Sequence, residues 1–321
     1  MPIVSRRQFL TTGGAVSLLS GCAPKCAKRT QTSVSILRCP DYRQDLYGEL
    51  RRVLAEHHLK VRGKRVLLKP NLVEFEPEAP IHTHPLLVHA AFEAFRALGA
   101  DVVIGEGPGH RRNTLDLADA AGYFDTIPQF EGHFIDLNLD RVVQRRLTHP
   151  HSRLTSIYLA ESAFNCDLLV SLPKMKTHHW AGATLSMKNL FGVVPGAIYG
   201  WPKNILHWSG IPECVADLYN TLPRHFAIVD GIVGMEGNGP IQGTARRAGV
   251  VVSGRDLAAV DATCCRLMSI DPCRIEYLRL AAGDVDGLFR SVRQIGEPVA
   301  ETRSRFELIP EWSAIRLAEP A

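Results

Sequence analysis

Residues 65–72 read Arg65-Val66-Leu67-Leu68-Lys69-Pro70-Asn71-Leu72, an apolar run that stops at a lysine and a proline. A short apolar run bounded by a turn signal is what a strand covered on both faces looks like. After a loop, residues 85–98 carry apolar side chains at helical spacing, opened by Pro85 and closed by Gly99. Residues 102–105 are again a short apolar strand, and a glycine-rich turn follows directly. Strand, helix, strand in this order predicts parallel strands joined by a crossover helix.

The pattern extends in both directions. Upstream, Ser33–Arg38 reads as a strand, and residues 41–58 as a helix with Leu46, Leu50, Val53 and Leu54 on one face. Downstream come a helix from about Thr114 and a strand over 133–137. The second half repeats the alternation, with a strand over 167–172, a long loop, a helix over 213–222 and a strand over 226–229. A strand over 249–253 and helices over 257–268 and 274–282 follow. The expected fold is α/β, with mostly parallel, helix-covered sheets and the site at the carboxyl ends of the strands. It occupies residues 33–310 as one domain, or as two lobes of about 33–150 and 151–310.

The N-terminus reads differently. Ser5-Arg6-Arg7-Gln8-Phe9-Leu10 matches the twin-arginine export pattern. The apolar core behind it is diluted by Thr11, Thr12, Gly13 and Gly14, too short for a bilayer span of ~20 apolar residues. It ends in Leu19-Ser20-Gly21-Cys22, which resembles a lipoprotein cleavage box. Residues 1–21 are therefore expected to be a signal peptide, Cys22 the lipidation site and residues 22–32 a polar tether. The expected partners are the twin-arginine export machinery and, through the lipid on Cys22, a membrane on the periplasmic or outer side.

Composition narrows the ligand classes. The formal net charge of +4 includes Arg6 and Arg7, and no basic run points to nucleic acid. None of the eight cysteines forms a C-x-x-C pair, which leaves an iron–sulfur cluster or zinc ribbon without ligands. Cys166 and Cys214 read as buried, inert thiols.

Polar clusters fall just after the expected strands. They are Lys69-Pro70-Asn71, Thr83-His84-Pro85, and Gly105-Glu106 leading to Gly109-His110-Arg111. Next come Lys174-Met175-Lys176-Thr177-His178-His179 with Lys188-Asn189-Leu190-Phe191-Gly192. Asp230-Gly231 leads to Glu236-Gly237-Asn238-Gly239-Pro240, and Ser253-Gly254-Arg255-Asp256 precedes Asp261. These segments, in this order from about Arg65 to Pro272, resemble the DUF362 family, a bacterial and archaeal group named for its unknown function. The stretch from His178 through Lys188 and Pro195-Gly196 to His207 also resembles, more distantly, the lactate racemase family with a nickel-pincer nucleotide. That resemblance implies that Lys188 bonds the cofactor, that His207 ligates nickel and that His110 is catalytic. Two departures stand beside it: Ser186-Met187 replaces the family's glycine pair, and His207 lies further along.

Read from the residues themselves, lysines at strand ends grip anions or act with a lowered pKa. Lys69, Lys176 and Lys188 are the catalytic candidates, to which the racemase resemblance adds His110. Glu106, Asn189, Asp230, Glu236 and Gly237 are the cofactor-binding candidates. His178 and His207, flanking one glycine-rich loop, are the candidate metal ligands. Asp261, inside a helix of small apolar residues, reads as a buried carboxylate that caps a loop. The expected function is an exported, lipid-tethered enzyme acting on a small anionic substrate by redox, proton or hydride transfer. It would depend on a transition metal or a pincer-like nucleotide. The alternative is a non-catalytic lipoprotein that binds a metal or an anion.

Overall fold

The computed structural model describes residues 32–76, 79–109, 113–222 and 224–318. The signal peptide, nearly all of the tether, Cys22 and His110 lie outside the described residues.

Thirteen strands occur among the described residues. They are β1 (Ser33–Arg38), β2 (Arg65–Pro70), β3 (Asp101–Glu106), β4 (Phe134–Asp136), β5 (Val142–Arg146), β6 (Ser156–Ala160) and β7 (Leu168–Leu172). The rest are β8 (Lys174–His178), β9 (Gly182–Thr184), β10 (His225–Glu236), β11 (Thr244–Arg246), β12 (Val250–Gly254) and β13 (Arg293–Gly296). Eleven of them join one sheet, ordered β13-β1-β12-β10-β7-β2-β3-β4, with β8 and β11 paired to β10 and β9 paired to β8. β5 and β6 make a separate antiparallel pair. The run β10-β7-β2-β3-β4 is parallel throughout. β12 is antiparallel to both its neighbours. The α/β, mostly parallel reading holds, and strands from both halves of the chain interleave in one sheet.

Alternation along the strands explains why their sequences read as continuous apolar runs. Leu67 and Leu169 join one buried cluster, while Val66, Leu68, Leu168 and Val170 join the other, so both faces of the sheet are covered. The helix Pro85–Ala97 shows how local signals place that cover. His84 caps it by accepting from the Leu86 amide, Pro85 occupies the first turn, and Leu87, Val88, Ala91, Phe92 and Phe95 face the sheet. On the opposite face lie the helices Ile211–Thr221 and Leu257–Leu267.

Two expectations change. Residues after 172, read as a long loop too small-residued to pack, instead form β8 and β9, an antiparallel pair whose residues are all buried. β10 is also longer than the apolar stretch 226–229, because Gly231 and Gly234 are strand residues rather than turns. A Cβ on Gly234 would stand 2.6 Å from the Met175 carbonyl oxygen of β8.

Candidate functional site

Because β2, β3 and β7 are parallel, their carboxyl ends open at one edge of the sheet, and a cavity of about 240 Å³ lies there. Lys69 on β2 does not itself line the cavity: it is fully buried behind Glu106, which ends β3 and does line it, and the two are ion-paired. The Lys69 ammonium also donates to Asn189 Oδ1 at 3.1 Å and the Pro70 carbonyl at 3.0 Å, so all three of its protons are used. Asn189 in turn donates to the Lys69 carbonyl and to Ser171 Oγ, both at 3.0 Å. Gly192 completes the arrangement. A Cβ there would overlap Lys69 Cε and Nζ and Glu106 Oε1, so only glycine lets this backbone lie on the ion pair.

Three further lysines line the cavity. Lys176 on β8 donates to the carbonyls of Ile81 and Pro240, and burial, reinforced by the charges of Lys174 and Lys188, pushes its pKa well down. Lys203 donates to the carbonyls of Gly107 at 2.6 Å and Phe191 at 2.9 Å, and burial lowers its pKa to about 7. Lys188 opens the 3-10 turn Lys188–Val193, and its ammonium lies 3.8 Å from the centre of the Phe191 ring. No acceptor for it occurs among the described residues. Burial, followed by repulsion from Lys69, lowers its pKa to about 8. Asp261 fixes this turn from the helix Leu257–Leu267, accepting from the Ser186 amide at 2.8 Å and the Met187 amide at 3.1 Å. The capping role expected of Asp261 is what the structure contains.

The histidines of the cavity carry opposite tautomers. Nδ1 of His178 accepts from the amides of Trp180 (3.0 Å) and Ala181 (3.2 Å), so the proton of the neutral ring resides on Nε2. Burial, then the charge of Lys188, holds the ring neutral, well below the usual histidine pKa. His207 is the reverse: Nδ1 lies 3.1 Å from the Lys203 carbonyl and donates to it, leaving a lone pair on Nε2. This corrects the expected pair of metal ligands. His207 presents a ligand's lone pair, with its other nitrogen held by a carbonyl as ligating histidines commonly are. His178 presents an N–H instead. Among the described residues no three His, Cys, Asp or Glu side chains converge as a metal site would require.

Three buried polar atoms that line this cavity have no hydrogen-bond partner among the described residues: Asn71 Oδ1, Glu106 Oε2 and Thr184 Oγ1. An unpaired buried acceptor costs ~1–3 kcal/mol, and three on one wall mark a surface shaped for something other than the protein.

The remaining candidates are not part of this wall. Asp230 accepts from Tyr42 Oη (2.8 Å), Lys174 Nζ (2.7 Å) and the His84 amide (2.9 Å), a complete set inside the protein. Glu236 accepts from the Glu307 amide, and Gly237, at φ 78°, donates to the Glu307 carbonyl. Both hold the C-terminal segment to β10, which corrects their expected place beside a cofactor. Asn189 stays at the cavity but spends its polar atoms on Lys69. Sequence reasoning missed Lys203, Thr184, His179 and Trp180. Lys203 follows Trp201-Pro202 in an apolar stretch, and that context was the available signal.

One cavity of this α/β domain thus gathers Lys176 and His178 from β8, Lys188 from the turn after β9, and Lys203 and His207 from the segment beyond it. The chain belongs to the family of DUF362, a domain of unknown function, whose model matches residues 66–266. It is 27% identical over 299 residues to the thylakoid-associated protein sll1697 of Synechocystis sp., covering 90% of this chain and 89% of that protein. Among solved structures, the lactate racemase apoprotein from Thermoanaerobacterium thermosaccharolyticum aligns with a TM-score of 0.44 and 13% identity. That alignment covers 75% of this chain and 58% of that one.

Proposed function

We propose that this protein is an enzyme that binds a small anion in the cavity and moves a proton on it, tethered to a membrane outside the cytoplasm. The observation that carries the reading is Lys188, a half-buried ammonium lining the cavity with no acceptor among the described residues, beside the orphaned oxygens of Asn71, Glu106 and Thr184. An anion supplies the missing acceptor for Lys188, and its own hydroxyl or amide donors satisfy Glu106 Oε2. His207 Nε2 then takes a proton from the bound molecule and hands it back, while the neutral His178 ring donates a hydrogen bond from Nε2–H to the charge that forms, a division of roles set by their tautomers.

The residues also suit the group implied by the racemase resemblance in part. Lys188, with its pKa near 8, is nucleophilic enough to hold a nucleotide covalently, and His207 offers one bond to a metal. When bound, such a group would supply hydride acceptance or polarise a carbonyl. His178 remains a hydrogen-bond donor in either case.

Membrane association rests on the Cys22 reading and on a relative named for its association with thylakoids. No helix among the described residues is long and apolar enough to cross a membrane. Replacing Cys22 with alanine should release the protein from membranes, and replacing Arg6 and Arg7 with lysine should hold it in the cytoplasm. Retention of normal export and attachment in both variants removes the address.

The chemistry is tested with protein purified from its own host, by following deuterium exchange at the carbon beside the carboxylate in a panel of small carboxylic acids. Exchange by the native protein that is lost in His207→Ala supports the reading. Anion binding without exchange in any member leaves a binding protein instead.

A further inference from the structure

The cavity is not uniform in its lining. Lys176, Lys203 and Glu106 are buried in it and Lys188 is half-buried, whereas Leu72, Val73, Phe191, Pro202, Pro240 and Ile241 give it an apolar surface. A site meant only for a small hydrated ion would be lined by donors throughout, since apolar walls contribute nothing to a charge. The mouth is more apolar still. Trp180 lines the cavity while 59% exposed, and its ring lies 5.5 Å from that of His207 and 4.5 Å from that of His179. Trp208, which follows His207 directly, is 75% exposed, and Ile198 and Ile205 on the same stretch of chain are exposed as well. Single exposed hydrophobics are ordinary on a protein surface. Of the four, Trp180 lines the cavity, where it sets an exposed aromatic face beside His207 and His179.

We infer that the ligand is an amphipathic anion, with its charged head at Lys188 and an apolar body that runs between the walls and leaves the cavity against Trp180. This rests on the anion reading above and narrows it to a substrate class: molecules with one anionic end and an aliphatic or aromatic remainder. The head satisfies the ammonium that the protein leaves without an acceptor. The body covers the Trp180 face that water otherwise meets. The donors still available agree with a single compact head, because Lys176 and Lys203 have each committed two hydrogen bonds to carbonyls.

The test uses the full-length chain carrying Cys22→Ala, so that no acyl chain of its own competes for the cavity. Dissociation constants are measured by calorimetry for acetate, butanoate, hexanoate and octanoate, with hexanamide as the uncharged match to hexanoate. The inference expects affinity to rise about four-fold per added methylene up to hexanoate, the factor that ~0.8 kcal/mol per buried methylene gives. It also expects hexanoate to bind at least ten-fold more tightly than hexanamide. Trp180→Ala should weaken hexanoate at least five-fold more than acetate, and Lys188→Met should bring hexanoate and hexanamide to equal affinity. Trp180 is exposed, so its replacement leaves the core intact, and unchanged circular dichroism verifies this. If affinity is flat from acetate to octanoate while the charge preference persists, the apolar body is refuted and the anion reading stands. If hexanoate and hexanamide bind alike in the unsubstituted protein, the anion reading falls and takes this inference with it.

Discussion

Lys174 and Lys176 stand two residues apart on β8, both buried, in a stretch where the sequence offers nothing to separate them. Lys174 donates to Asp230 at 2.7 Å and Tyr42 Oη at 3.0 Å, and Asp230 has its remaining lone pairs filled by Tyr42 and the His84 amide. The Tyr42 ring stacks on His84 at 3.7 Å and closes that cluster off. Lys176 has no carboxylate of its own, only two carbonyls, and it faces a cavity whose wall keeps three unpaired oxygens. Burial of a charge therefore does not separate a structural lysine from a functional one. Whether the surrounding hydrogen bonds close within the protein does.

The sharpest way to break this contrast is to open the closed cluster. Asp230→Ala leaves the Lys174 ammonium buried without its counter-ion and should lower stability by ~3–5 kcal/mol, read from the urea midpoint. A loss below ~1 kcal/mol would mean that Lys174 sheds its proton or finds water, and the cluster would not be the anchor described.

The cavity should respond in the opposite direction. Lys188 is held near pKa 8 against an ordinary lysine value of 10.5, so at neutral pH its charge costs the folded state up to ~3 kcal/mol. Lys188→Met should raise the melting temperature by several degrees while abolishing anion binding. The sign with pH follows from the same shift. Between pH 8 and 10.5 the unfolded chain holds a proton that the folded one has released, so the stability assigned to this site rises across that window. Anion affinity runs the other way, level below about pH 7 and falling as Lys188 deprotonates through 8. A lower melting temperature for Lys188→Met, or affinity that is indifferent to pH across the Lys188 titration, would place Lys188 with the structural lysines.

Gly192→Ala probes the floor shared by the two regions. Its methyl group must displace the Lys69–Glu106 pair, at an expected cost of ~1–3 kcal/mol in the same urea experiment. The smallest effect belongs to Thr184. Replacing an unpaired buried hydroxyl by the matching methyl in Thr184→Val should change stability by less than ~1 kcal/mol, or raise it slightly, while weakening ligand binding. A loss beyond ~2 kcal/mol would show that Thr184 has a structural partner after all.

Much of this was legible in the sequence. Strands buried on both faces announce themselves as unbroken apolar runs, and the helix after Thr83-His84-Pro85 carries its cap and first-turn proline in plain view. Glu106, Lys176 and Lys188 were chosen because polar residues after parallel strands meet at one edge, His178 and His207 because they flank one glycine-rich loop and fit the racemase resemblance, and these five line the cavity. The rule says where a side chain begins but not which neighbour it finds. Asp230 follows the same rule and turns to Lys174 instead. His178 could not be told from a metal ligand without the amides of Trp180 and Ala181, which reach Nδ1 only because the chain folds back after β8. Lys203 was hidden because a lysine in a loop ordinarily sits in water, and nothing local reveals two carbonyls waiting for it from distant parts of the chain.

That last residue has a consequence for timing. The Lys203 ammonium staples the loop after β3, through the Gly107 carbonyl, to the turn that carries Lys188, through the Phe191 carbonyl. Swinging the Trp201–His207 segment aside requires both bonds to break together. At ~1 kcal/mol net for each, and ~1.4 kcal/mol per decade, such openings are roughly thirty-fold rarer than they would be without the amine. A molecule larger than the mouth would then enter and leave at the pace of that fluctuation rather than of diffusion, and one residue that takes no proton itself would govern how long each occupant stays.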